Sequence, residues 1–99
     1  MTVSVPPGTS SSDLVAEVLD DLFSRLSDQY GYQSTSTTTP TQNGINYELS
    51  PRADIEVIDR GEAVVFKLHG FREVDEDDFL TGVSSTIEQR HGGVRVEIG

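Results

Sequence analysis

The chain has no cysteine, which excludes disulfides and thiol chemistry and leaves the compartment open. It has no apolar run approaching the ~18 residues that a membrane-crossing helix needs. Its first residues, Met1 to Pro7, lack both the basic start and the long apolar core of a signal peptide. A cytoplasmic or virion location is therefore expected. Positive charge is scarce: seven bases, of which only Lys67 is lysine, face seventeen acids for a net charge of −10. Such a surface repels nucleic acid and anionic membrane, so direct binding to either is not expected. It also strains the folded state by self-repulsion at low salt. Molar salt relieves that strain, because the screening length falls to about 3 Å at 1 M. An acid-rich, lysine-poor surface with abundant Thr and Ser is similar to the proteins of salt-loving archaea and their viruses; an ordinary acidic bacterial or phage protein is the alternative. Stability that rises with salt is the corresponding expectation.

What is present reads as one α+β domain over residues 1–99, with room for one modest core. Its centre is Ala53 to Gly70. Two apolar runs, Ile55–Ile58 and Ala63–Leu68, flank Asp59-Arg60-Gly61-Glu62, where Gly61 can take the positive φ of a tight turn. A loop with an even number of residues puts Ile55, Val57, Val64, Phe66 and Leu68 on one face, and core burial selects that register. The same reading sets Asp54 opposite Lys67. The second face is mixed, with Glu56, Ile58, Ala63 and Val65, and is expected to be partly covered by a partner.

Residues 1–9 form an extended arm in which Thr2–Val5 could add a strand at a sheet edge before Pro6-Pro7-Gly8 breaks it. A first helix follows, capped by Ser12 or a neighbouring serine. Its stripe is Leu14, Val15, Val18, Leu19, Leu22, Phe23 and Leu26, and Gly31 stops it. Asp21 and Arg25, four apart, can pair. Residues 33–44 are a polar Thr/Ser-rich edge hairpin or loop, with Asn43-Gly44 as its turn signal and Pro40 restricting it to an edge. Ile45, Tyr47 and Leu49 alternate inward on the next strand. Asp75 caps a second helix whose first turn is acidic and whose stripe is Phe79, Leu80, Val83 and Ile87. Gly82 inside it suggests a close approach to the sheet or to another subunit. Val94–Ile98 reads as a last strand. The order (β)-α-(β)-β-β-β-α-β predicts an antiparallel sheet of four to five strands with both helices on one face. A ferredoxin-like βαββαβ arrangement is the alternative, if Thr2–Val5 joins the sheet.

Catalytic constellations are missing from this pattern. His69 ends a strand and His91 ends a helix, and neither has a second ligand at metal spacing. The Asp75–Asp78 run lacks a calcium-loop layout and is explained by the helix dipole. No Gly-x-Ser-x-Gly is present. The serines and glycine before the first helix lack the ending of a nucleotide loop. Val65 stands where a hairpin nuclease needs an acid before its lysine. No enzyme activity, cofactor or metal is expected. The expected role is a non-enzymatic assembly subunit that contacts other protein subunits, including copies of itself. A head, neck or tail component of a virus with a halophilic host is one concrete form. A small acidic adaptor or nucleic-acid mimic is the alternative. The candidate contact positions are Thr2, Val3 and Val5 on the arm, Ile58 and Val65 on the mixed face, and Gly82.

Overall fold

Residues 1–98 are described by the structure, a computed structural model; Gly99, the last residue of the expected domain, lies outside the described residues. The elements are β1 (Thr2–Ser4), α1 (Ser11–Tyr30), β2 (Gln33–Pro40), β3 (Ile45–Ser50), β4 (Ala53–Asp59), β5 (Ala63–His69), α2 (Glu76–Arg90) and β6 (Val96–Glu97). The strands form one antiparallel sheet in the order β2-β3-β4-β5-β1-β6. The class is the expected α+β, but the sheet has six strands rather than four to five.

The extra strands come from the N-terminal arm and from residues 33–40. Residues 33–40 pair with β3, as an edge strand exposed along its whole length. The arm is the larger correction, because β1 sits inside the sheet and not at its edge. Val3 faces Val64 of β5 and Val96 of β6 and is fully buried. Met1 extends the pairing: its nitrogen donates to the Phe66 carbonyl at 3.0 Å, and Phe66 N donates back to the Met1 carbonyl at 2.8 Å. Burial holds the pKa of the Met1 amine below its ordinary value, against the opposing pull of Glu76. An apolar Val3 fills the slot between β5 and β6, and its burial favours that position over a free arm.

Both β5 and β6 run antiparallel to β1, so they are parallel to each other, and α2 makes the crossover between them. The four strands β4-β5-β1-β6 thus carry the ferredoxin-like order. The β2–β3 hairpin, inserted between α1 and β4, widens the sheet on that side.

The central hairpin has the expected face but a different register. Glu56 pairs with Lys67 and Asp54 with His69. Arg60 N donates to the Ala63 carbonyl at 2.9 Å, which puts Gly61 and Glu62 in the turn. Gly61, at φ +83°, takes the first central position, and the Asp59 carboxylate accepts from its N–H at 2.8 Å. Moving the turn by one residue shifts every pairing by two, which leaves each side chain on its face.

One face of the sheet carries Val3, Leu49, Ile55, Val57, Val64 and Phe66, all buried. They cluster with Leu14, Val18, Leu19, Leu22 and Leu26 of α1 and with Phe79, Leu80, Val83 and Ile87 of α2. The other face carries Glu48, Asp54, Glu56, Lys67 and His69, together with the cross-strand pair Ile58–Val65. Ile58 is already buried within the chain at 5% exposure, so it offers little to a partner. Gly31, in the left-handed region at φ +77°, closes α1 as the sequence suggests. Asp75 caps α2 by accepting from Asp78 N at 3.3 Å.

Candidate functional site

Polar contacts tie the two helices together along one side of α1. His91 Nε2 lies 3.0 Å from Glu17 Oε2, Arg90 Nη1 donates to Asp21 Oδ1 at 2.8 Å, and Arg25 donates to Thr86 Oγ1. Glu17, Asp21 and Arg25 follow one another at four-residue spacing, so they share a face of α1. The expected Asp21–Arg25 pair does not form, because each side chain has a partner on α2. Gly82 belongs to the same seam. A Cβ on it would meet Arg25 Nη1 at 3.7 Å, so the glycine faces the arginine of α1 and not the sheet. His91, placed at the end of α2, is taken up by this seam.

His69 lies on the open face of the sheet, across from Asp54. With Asp54, Glu56, Asn46, Thr39 and Thr41 it borders a shallow depression of about 350 Å³. Asp54 Oδ1 is buried there without a hydrogen-bond partner. Among the described residues, no three His, Asp or Glu side chains are placed to share a metal ion. At one end of the molecule, Arg52 and Arg72 line a second cleft of about 320 Å³ with Tyr30, Tyr32 and Glu73.

The largest of these cavities is an apolar groove of about 580 Å³ between α1 and the strands β3 and β4. Val15, Ala16, Leu19 and Phe23 form its wall on α1, Ile45 and Tyr47 its wall on β3, and Val57 comes from β4. It lies where the β2–β3 hairpin widens the sheet beside α1. Leu19 and Val57 are buried at its base, whereas Ile45 is 44% exposed. The rings of Phe23 and Tyr47 approach at 6.3 Å between centroids, tilted by 59°. The polar residues of the lining are Ser12, Asn43, Asp20 and Asp59. Asp59 is fixed twice, accepting from Ser11 Oγ at 2.8 Å and from Gly61 N at 2.8 Å, and so it ties the start of α1 to the β4–β5 turn.

The expected contact positions do not converge on this groove. Thr2 and Val3 lie in β1, Val5 follows it and donates its N–H to the Glu62 carbonyl, Ile58 and Val65 face each other on the open side, and Gly82 is in the helix seam. Sequence reasoning read Val15, Phe23, Ile45 and Tyr47 as ordinary core. The signal that distinguishes them is the breadth of the α1 stripe: Val15 and Phe23 lie at its border, and in the fold they are half-buried. Compared with protein-family models, with curated proteins and with solved structures, the chain matches none of them.

Proposed function

We propose that this chain is a non-enzymatic subunit that works by protein–protein contact, and that the groove between α1 and β3 is its docking surface. The observation that carries this reading is Ile45, a large apolar side chain 44% exposed beside an apolar groove. Covering apolar surface yields roughly 25 cal/mol for each Å² removed from water, and contiguous exposed apolar surface marks contact sites. The lining also favours binding over catalysis. Its walls are aliphatic and aromatic, and its carboxylates have no histidine beside them in the described groove. The strong net negative charge supports work in concentrated salt, for which a particle component of a virus with a halophilic host is one concrete setting.

A random-peptide display selection on the intact protein tests the docking surface. Selected binders should lose hold on Ile45→Ser and on Phe23→Ala. Binders indifferent to both changes, in variants shown to be folded, would overturn the groove as the contact site.

A further inference from the structure

We infer that the occupant of the groove is a short amphipathic helix of another protein, with an apolar face flanked by lysine or arginine. The inference rests on the groove being a docking surface, as proposed above, and it adds the chemistry of the partner.

The form of the partner follows from the strands. β3 has β2 on one side and β4 on the other, so its backbone groups are already paired. An occupant cannot be added there as a strand and is held by side chains, which is the helix-in-groove mode. The wall contributed by α1 runs from Ser12 to Phe23. At the helical rise that is about 16 Å, or roughly three turns of a docked helix. Such a helix presents apolar anchors at i, i+3, i+4 and i+7.

The charge of the partner follows from the lining. Its only charged residues are Asp20 and Asp59. Asp59 is engaged by Ser11 and Gly61, whereas Asp20 is exposed and makes no ion pair or hydrogen bond to a described residue. The rest of α1 adds Asp13, Glu17, Asp21 and Asp28 against Arg25 alone. A second copy of this chain would bring the same acids against themselves, and like charges across an interface suppress association. A basic flank meets complementary potential instead, and Asp20 is the carboxylate free to receive it.

The test uses the intact protein and two labelled probe peptides of about 14 residues, close to four helical turns. Both carry leucine at the anchor positions; one has lysine at the flanks and the other glutamate. Binding is read by fluorescence anisotropy at low and at molar KCl, on the native chain, on Ile45→Ser and on Asp20→Asn, each first shown to unfold cooperatively. The lysine peptide should bind at least tenfold tighter than the glutamate peptide at low salt. Ile45→Ser should weaken it about tenfold, and Asp20→Asn a few-fold with a shallower salt dependence. Equal binding of both peptides, lost in Ile45→Ser, would overturn the basic partner and leave the docking groove standing. Binding of the lysine peptide that ignores Ile45→Ser would be diffuse charge attraction and would overturn both. Binding of neither peptide would overturn the helical partner, while the display selection decides separately on the groove.

Discussion

Gly44 stands directly against the backbone of Val57: a Cβ on Gly44 would lie 2.0 Å from the Val57 carbonyl oxygen and 2.9 Å from its carbonyl carbon. The demand is for space, since the φ of Gly44 lies outside the left-handed region. The turn is otherwise secured by Thr41, whose Oγ1 accepts from Gly44 N at 2.9 Å and whose N–H donates to the Gly44 carbonyl at 2.8 Å. Because Gly44, Ile45 and Val57 all line the groove, this contact also sets its width.

Gly44→Ala must therefore push the β2–β3 turn away from β4. Overpacking of this kind costs about 1–3 kcal/mol. For a domain of this size, each kcal/mol lowers the melting temperature by roughly 4–8 °C. Thermal and urea unfolding measure the loss. An unchanged melting temperature would mean that the close approach does not exist.

Gly82→Ala should do the opposite. The nearest atom to its Cβ is Arg25 Nη1 at 3.7 Å, an ordinary contact with the mobile end of a side chain. Alanine is favoured over glycine inside a helix by about 0.8–1.0 kcal/mol. A melting temperature raised by a few degrees is expected, with the Arg25–Thr86 contact preserved. A fall would show that the seam between α1 and α2 closes more tightly on Gly82 than 3.7 Å allows.

These two glycines also show how far the sequence could be read. Periodicity located both helices and the buried face of the central hairpin, because those features depend on local spacing: 3.6 for α1, two for β4 and β5. Asn43-Gly44 signals a turn, but it gives no hint that the glycine is needed for clearance over Val57, on a different strand. Gly82 suggests a contact whose partner, Arg25, lies on the other helix and is more remote still in the chain. Residues 2–4 carry too little pattern, over three residues, to distinguish an edge from an interior strand. The groove was invisible for a related reason. Val15 and Phe23 belong to the same stripe as Leu22, and only the offset between α1 and the widened sheet decides which of them is covered.

Val3→Ala tests the interior position of β1. The side chain is fully buried between Val64 and Val96, so two methyl groups are lost from the core. Transfer and cavity terms together come to roughly 2 kcal/mol. The loss should be independent of protein concentration, because the strand is taken up within its own chain. Val5→Ala, at a half-buried position, should cost less. A stability change that appears only at high concentration would instead identify the arm as an intermolecular strand.

The dependence on salt follows from counting which charges are held by partners. Seventeen acids face seven bases. Among the described residues, ion-pair distances join only Arg90 to Asp21 and His91 to Glu17. The Arg90 side chain is 62% exposed, and pairs of that kind contribute little. Salt screens these attractions, but it screens a larger set of unpaired repulsions as well. The two ion pairs, at 2.8 and 3.0 Å, lie within even the screening length of about 3 Å at 1 M, whereas repulsion between acids without a close partner acts over longer distances, which the length of about 10 Å at 0.1 M leaves partly unscreened. Repulsion therefore falls more than attraction, and the melting temperature should climb by several degrees between 0.1 and 1 M KCl, the equivalent of about 1 kcal/mol. KCl is the appropriate salt, since sulfate would strengthen apolar burial whatever the charge. A variant with Asp13, Asp28, Glu73 and Glu88 changed to their amides, all exposed and outside the helix seam, should start from a higher melting temperature and climb less. A melting temperature that stays level or falls with KCl in the native chain would show that self-repulsion does not limit its stability.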